Sequence, residues 1–236
     1  MKRLITSCFY CILIIYGCDT PQTKKIEIEN NQKIDGFILK GTLKNYLADK
    51  VYLNKIIENT LYPIDSAVIK NNQFIFKGVV SYPERFSLTF ENYSASLVLI
   101  LENTNFEVEI DPNFIQEPVI KGSPLNSKLN EYKQHSKKIF SEMELLFPKF
   151  QKARLENNAV KLAEIGEKLE IIEATFRNYS YEFIKTNSES YVAPMVLRDQ
   201  LKATIMDTLR IKESYNLLSE KVKNSPDSQI IAFNIN

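Results

Sequence analysis

The chain has 236 residues, with 30 Lys+Arg against 29 Asp+Glu, one histidine and three cysteines. That length allows one or two domains with substantial cores, and a formal net charge of +1 lacks the concentrated basic surface that nucleic acid requires. A hydrophobic content of 44% with 25% charged residues is globular, and 12 Tyr and 14 Phe without Trp point to β-structure.

Lys2 and Arg3 precede an apolar run, clearest over Phe9–Tyr16, that closes in Ile15-Tyr16-Gly17-Cys18. A charged start, a short apolar core and a small residue before a cut are the order of a secretory signal. The core is shorter than the roughly 20 residues of a membrane-spanning helix, so residues 1–17 are read as removed. The alternative is an uncleaved N-terminal membrane helix. An aliphatic residue at minus three, Gly17 at minus one and Cys18 directly after the cut resemble the lipobox of bacterial lipoproteins. The resemblance implies cleavage between Gly17 and Cys18, a diacylglycerol on the Cys18 thiol and a further acyl chain such as palmitate on its α-amine. At about 0.8 kcal/mol per buried CH₂, two or three chains hold a protein firmly at a membrane. The expected location is the cell envelope, at the outer membrane, facing the periplasm or the surface. Cys8 and Cys11 form a C-x-x-C, but both lie in the signal core and leave with it. Without Lys2 and Arg3, the 30 basic residues become 28 against 29 acidic ones, near neutrality.

Asp19–Lys33 is polar and reads as a tether, so residues 18–33 form a lipidated cysteine and its linker. Fifteen flexible residues span roughly 20 to 25 Å on average and about 50 Å when straight. From Ile34 the pattern changes to short runs of period two or of β-branched and aromatic residues. Strands are expected near Phe37–Leu43, Lys50–Leu53, Leu61–Ile69, Phe74–Val80, Arg85–Phe90, Leu97–Leu101, Phe106–Ile110 and Pro118–Ile120. Asn71-Asn72, Asn92-Tyr93-Ser94, Asn103-Thr104-Asn105 and Asp111-Pro112 supply turns between them. Strands about 10 residues apart without intervening helices imply an antiparallel sandwich or curled sheet, rather than a parallel one, over residues 34–122.

The runs Gly41-Thr42-Leu43-Lys44-Asn45, Val51-Tyr52-Leu53, Ile64-Asp65-Ser66-Ala67-Val68-Ile69 and Gln73-Phe74-Ile75-Phe76-Lys77-Gly78, with Pro83 soon after, carry a second resemblance. Phe37 to Gly122 is similar to the β-rich domain of unknown function found at the N-terminus of many Bacteroidota envelope lipoproteins. In that setting it commonly precedes a thioredoxin-like domain of the peroxiredoxin or thiol-disulfide interchange kind. The resemblance implies a fold and no catalytic residue. A thioredoxin-like domain would begin near the last residues of this chain.

At Gly122 the period becomes helical, with Ser123 a candidate N-cap and Pro124 a favoured first residue. Leu125, Leu129, Tyr132, Ser136, Ile139, Met143 and Leu146 form one amphipathic seam, which Pro148 should kink or end. After a turn at Asn157-Asn158, Leu162, Ile165, Leu169, Ile172, Phe176, Tyr179 and Phe183 form a second seam, and together they predict an αα-hairpin. A third helix is expected over Tyr191–Lys202 and a fourth from the N-cap Asp207 through Val222, stopped by Asn224-Ser225-Pro226-Asp227. The fold class is therefore α+β, a sandwich-like domain followed by a helical region over 123–224 and a tail over 225–236.

No catalytic constellation stands out. His135 lies off the seam among Lys133, Lys137 and Lys138 and reads as a solvated residue, with no second histidine to complete a metal site. The six glycines form no phosphate-binding motif. Glu107 and Glu109 alternate with apolar residues on the solvent face of a strand, and Glu164, Glu167, Glu170 and Glu173 line a solvated helix face. No cofactor or metal is expected. Two features are candidate contact surfaces. The first is the second helical seam, as a partner or dimer surface, with packing on the later helices as the competing reading. The second is the strand aromatics Tyr46, Tyr52, Tyr62, Phe86 and Tyr93, which could stack on a glycan or peptide or else pack as core. The expectation is a lipid-anchored, non-catalytic binding or scaffold module, accessory to a thioredoxin-like partner. The alternatives are glycan or peptide capture by the β-domain, and thiol-disulfide or peroxide chemistry if a partner supplies the cysteines.

Overall fold

A computed structural model describes residues 35–44, 48–203 and 206–235. Eight strands come first: β1 (Phe37–Leu43), β2 (Lys50–Ile57), β3 (Thr60–Val68), β4 (Gln73–Gly78), β5 (Glu84–Phe90), β6 (Ser96–Leu101), β7 (Asn105–Ile110) and β8 (Val119–Lys121). Six helices follow: α1 (Pro124–Leu155), α2 (Ala159–Thr186), α3 (Val192–Gln200), α4 (Thr208–Leu217), α5 (Glu220–Lys223) and α6 (Pro226–Ile235). The α+β order expected from the periodicity is the order observed. No helix among the described residues is long and apolar enough to cross a membrane.

The strands form two four-stranded sheets, ordered β4-β1-β7-β8 and β3-β2-β5-β6. Alternation turns Leu39, Phe76, Phe106 and Ile110 of the first sheet onto Val51, Leu88, Leu97 and Leu99 of the second, all at 2% exposure or less. Consecutive left-handed asparagines, Asn71 and Asn72, make the β3–β4 turn, and Glu58 and Asn59 make the β2–β3 turn. Two such residues in a row match the twist of a hairpin. One pairing departs from the antiparallel expectation, because β1 and β7 run parallel. β4 already occupies one flank of β1, so β7, arriving from the other sheet, enters on the opposite flank in the same direction.

β2 runs four residues beyond its expected end at Leu53. Its ladder to β3 slips there, passing from Leu53↔Asp65 to Asn54↔Pro63 and leaving Ile64 as an extra residue. β3 lies at the sheet edge and is exposed almost throughout. Pro63 has no N–H to offer, and the Asp65 carboxylate accepts the Ser66 N–H at 2.7 Å.

Ser123 caps α1 and Asp207 caps α4 as their sequence positions predict, and Asn158 caps α2. α1 continues through Pro148 to Leu155. The turn beyond the proline is held by packing, since Leu146 and Ala153 share a buried cluster with Ile165 and Ile172 of α2. The expected fourth helix is broken at Leu218, whose extended backbone turns a buried side chain into the core and separates α4 from α5. The expected tail is also corrected, because residues 226–235 are α6. Pro226 opens a helix rather than ending one, and Ile231 is fully buried among the helices.

Gly41 faces the core opposite Phe74, and the Phe74 ring occupies the space a side chain would need. Gly41→Ala is expected to cost about 1–3 kcal/mol through this overpacking, read as a lower urea midpoint at unchanged slope. Ile75→Ala, on the exposed face of β4, should stay within about 0.5 kcal/mol.

Candidate functional site

The sandwich meets the helices along the outer edge of β6, which has a strand neighbour on one side only. Here the first turn of α1 is tied to the strand. The Asn126 carboxamide accepts the Ile100 N–H at 2.9 Å and donates to the Ile100 carbonyl at 2.7 Å, and it is 4% exposed. Ser123 accepts the Asn126 N–H at 3.2 Å and donates to Glu102 at 2.5 Å, and that carboxylate also accepts the Leu125 N–H at 2.9 Å. A carboxylate against exposed helix N–H groups is favoured by the helix dipole. At the other end of β6, Gln116 donates to the Ser96 carbonyl at 2.8 Å.

These contacts settle the hydrogen-bond parity of the strand. Ile100 turns its N–H and C=O away from β5, so Arg85↔Ile100 is a non-hydrogen-bonded pair. Pairs of one class recur every second residue, so Ser87↔Val98 and Thr89↔Ser96 belong to it as well. The main-chain N–H and C=O of Val98 therefore point away from β5. They face a groove of about 500 Å³ whose other wall is α1, with Asn130 and Gln134 among its lining and Pro118–Ile120 at its side. Glu117 at the rim pairs with Lys137 at 2.5 Å, which raises the Lys137 pKa.

Val98 also borders a second hollow of about 170 Å³ built on charge. Arg85 of β5 donates to both oxygens of Asp199 of α3, at 2.9 and 2.8 Å, and lies 3.6 Å from Asp227 of α6. Arg198 donates to Asp227 at 2.8 Å. Burial works against the charge on Arg85, and the two carboxylates more than offset it, so its pKa is raised. Lys133 of α1 stands nearby. Burial lowers its pKa, as does Arg85, while Asp199 opposes the shift. On the same sheet face the Ser87 hydroxyl is buried without a partner among the described residues, and the Asn54 carboxamide donates to the Ser87 carbonyl and to Thr89.

Gly17 and Cys18 lie outside the described residues, as does Tyr46. The second seam faces α1. Ile165 and Ile172 are buried against it with Leu162 and Leu169 alongside, while Phe176, Tyr179 and Phe183 surround Tyr132. Tyr132 bonds Ser180 at 2.8 Å, and burial raises its pKa. His135 is exposed and stacks on Tyr179 at 4.0 Å. The strand aromatics do not converge: Phe86 is inside the sandwich, Tyr62 on β3 is 49% exposed, and Tyr93 sits in the β5–β6 turn. Glu107 and Glu109 pair with Lys40 and Lys44 on the solvent face. No group of three His, Cys, Asp or Glu among the described residues could hold a metal.

Sequence reasoning passed over Asn126 although a signal existed. It stands three residues before Leu129 on the seam of α1, and a polar residue on an apolar seam needs a buried partner. Arg85, Asp199 and Asp227 are too far apart in the chain to signal one another.

Residues 37–129 match a family model described as a domain of unknown function (DUF4369). The match spans all eight strands and the first turn of α1, including Asn126. No curated protein matches the chain.

Asn126→Ala strands the Ile100 main-chain groups and should cost about 1–3 kcal/mol in urea unfolding. Asp227→Asn breaks a nearly buried pair and should cost about 3–5 kcal/mol, whereas Asp199→Asn, half-exposed, should cost under about 1 kcal/mol.

Proposed function

We propose that this chain is a lipid-anchored protein of the bacterial cell envelope whose body is a non-catalytic binding module. Lipid on Cys18 concentrates it at the membrane, at the outer membrane in the periplasmic or surface-facing sense, and residues 19–33 give the body reach. The groove between β6 and α1 is the binding site. The observation that carries this reading is its construction, in which a strand edge is fastened at Ile100 and at Ser96 and, among the described residues, left unpaired at Val98 between them. A thioredoxin-like protein is the partner class that the resemblance of the β-domain implies. Peptide capture is favoured over glycan capture, because the exposed aromatics do not gather into a stacking platform.

The anchor is tested by growth of a Gram-negative host on an alkyne fatty acid. The chain is expected to take the label and to sediment with membranes, and Cys18→Ser to lose both. Label retained by Cys18→Ser, or a mature chain that still begins at Met1, would overturn the anchor. Turnover by the purified protein that His135→Ala or a single carboxylate substitution removes would overturn the non-catalytic reading.

A further inference from the structure

β6 is held at two rungs of its outer edge by side chains that imitate a neighbouring strand. Asn126 reproduces both hydrogen bonds of a paired residue at Ile100, and Gln116 reproduces one at Ser96. Rungs of one class repeat every two residues, roughly 6.6 Å apart, so Val98 is the one intermediate rung. It offers one donor and one acceptor side by side, in the arrangement that the N–H and C=O of a single residue of an added strand complement. An isolated main-chain pair in a half-enclosed groove is costly to shield from water without such a partner.

We infer that Val98 is a docking rung for an extended peptide segment of a partner protein, which adds to β6 in the groove beside α1. The inference rests on the reading of this groove as the binding site. The added strand lies between β6 and the α1 face that carries Asn130 and Gln134, whose carboxamides can serve its far edge as donors and acceptors. Asn126 and Gln116 mark its two ends, so the segment is short, with one residue fully paired and its neighbours flanking. A hollow of about 500 Å³ is in the range that holds a small ligand or a few residues. The carboxylates beside the groove are compensated, Glu117 by Lys137 and Glu131 by Lys128 at 3.6 Å, and Lys133 adds a positive charge to the lining. Affinity comes from the main chain, as in other cases of strand addition.

The test uses the ¹⁵N-labelled Cys18→Ser chain and a pool of acetylated, amidated pentapeptides, alongside the same pool N-methylated at the third residue. In the free chain the Val98 amide should exchange with solvent at least tenfold faster than those of Leu97 and Leu99, which face β5. Saturating peptide should slow it at least tenfold and shift its resonance downfield, and the N-methylated pool should do neither. Val98→Pro replaces the outward N–H with a ring carbon, at a position where an edge strand tolerates proline, and should weaken binding at least tenfold, with Val98→Ile as the control that retains it. Shifts confined to Asn130 and Gln134, without protection of Val98, would overturn strand addition and leave the binding-module reading standing. No perturbation of any groove residue at millimolar peptide would overturn the inference as well.

Discussion

A single carboxamide, Asn126, joins the two halves of the molecule. Its contacts with Ile100 seal one rung of an open sheet edge, and they also fix where the 32-residue α1 begins relative to the sandwich. The cap at Ser123 and the Glu102 carboxylate act on the same turn, so helix initiation and sheet termination are one event rather than two. Ile100 follows from this placement. It is a strand residue, yet its side chain belongs to the helical core with Leu129, Ile184 and Val196. Because a buried amide with unmet hydrogen bonds is costly, the arrangement admits few alternatives of comparable energy.

A second tie works by charge. Arg85 leaves the sheet, Asp199 comes from α3 and Asp227 from α6, so the network binds the outer sheet face to helices remote in the chain. Its parts differ in weight. The Asp227 side chain is almost entirely buried and holds two guanidinium groups, whereas Asp199 is half open to water. A buried pair of this kind contributes little net stability relative to a well-packed apolar substitute, yet removing one partner is costly because it leaves a charge unmatched. Between this network and the Asn126 clamp lies Val98, bordered by both hollows.

The fold was largely legible in the sequence because its signals are local. Phe74 and Phe76 alternate with exposed residues, paired asparagines bend the chain, and Ser123 followed by Pro124 announces a helix. What escaped was long-range or ambiguous. The parallel partnership of β1 and β7 depends on which flank is already occupied, a fact of assembly. Pro226 carries the same local signal whether it closes one helix or opens another, and only the burial of Ile231 decides. Pro148 interrupts hydrogen bonding, but packing around Leu146 and Ala153 outweighs it. The candidate site was hardly legible, since its decisive groups are main-chain atoms, which no residue letter records. Asn126 was the exception, a polar letter on an apolar seam.

The two edges of the second sheet differ in a way that bears on self-association. β3 is long and exposed, with Leu61, Tyr62, Ile64 and Val68 outward, and by itself would zip onto another copy. Its proline, its extra residue at Ile64 and the carboxylate folded onto the Ser66 N–H break the row of free donors at three successive points. The β3 edge is thus blunted against fibre growth, while the β6 edge is recessed beside α1. Pairing of like with like through this sheet is thereby disfavoured, and its β6 edge is left to a slender strand.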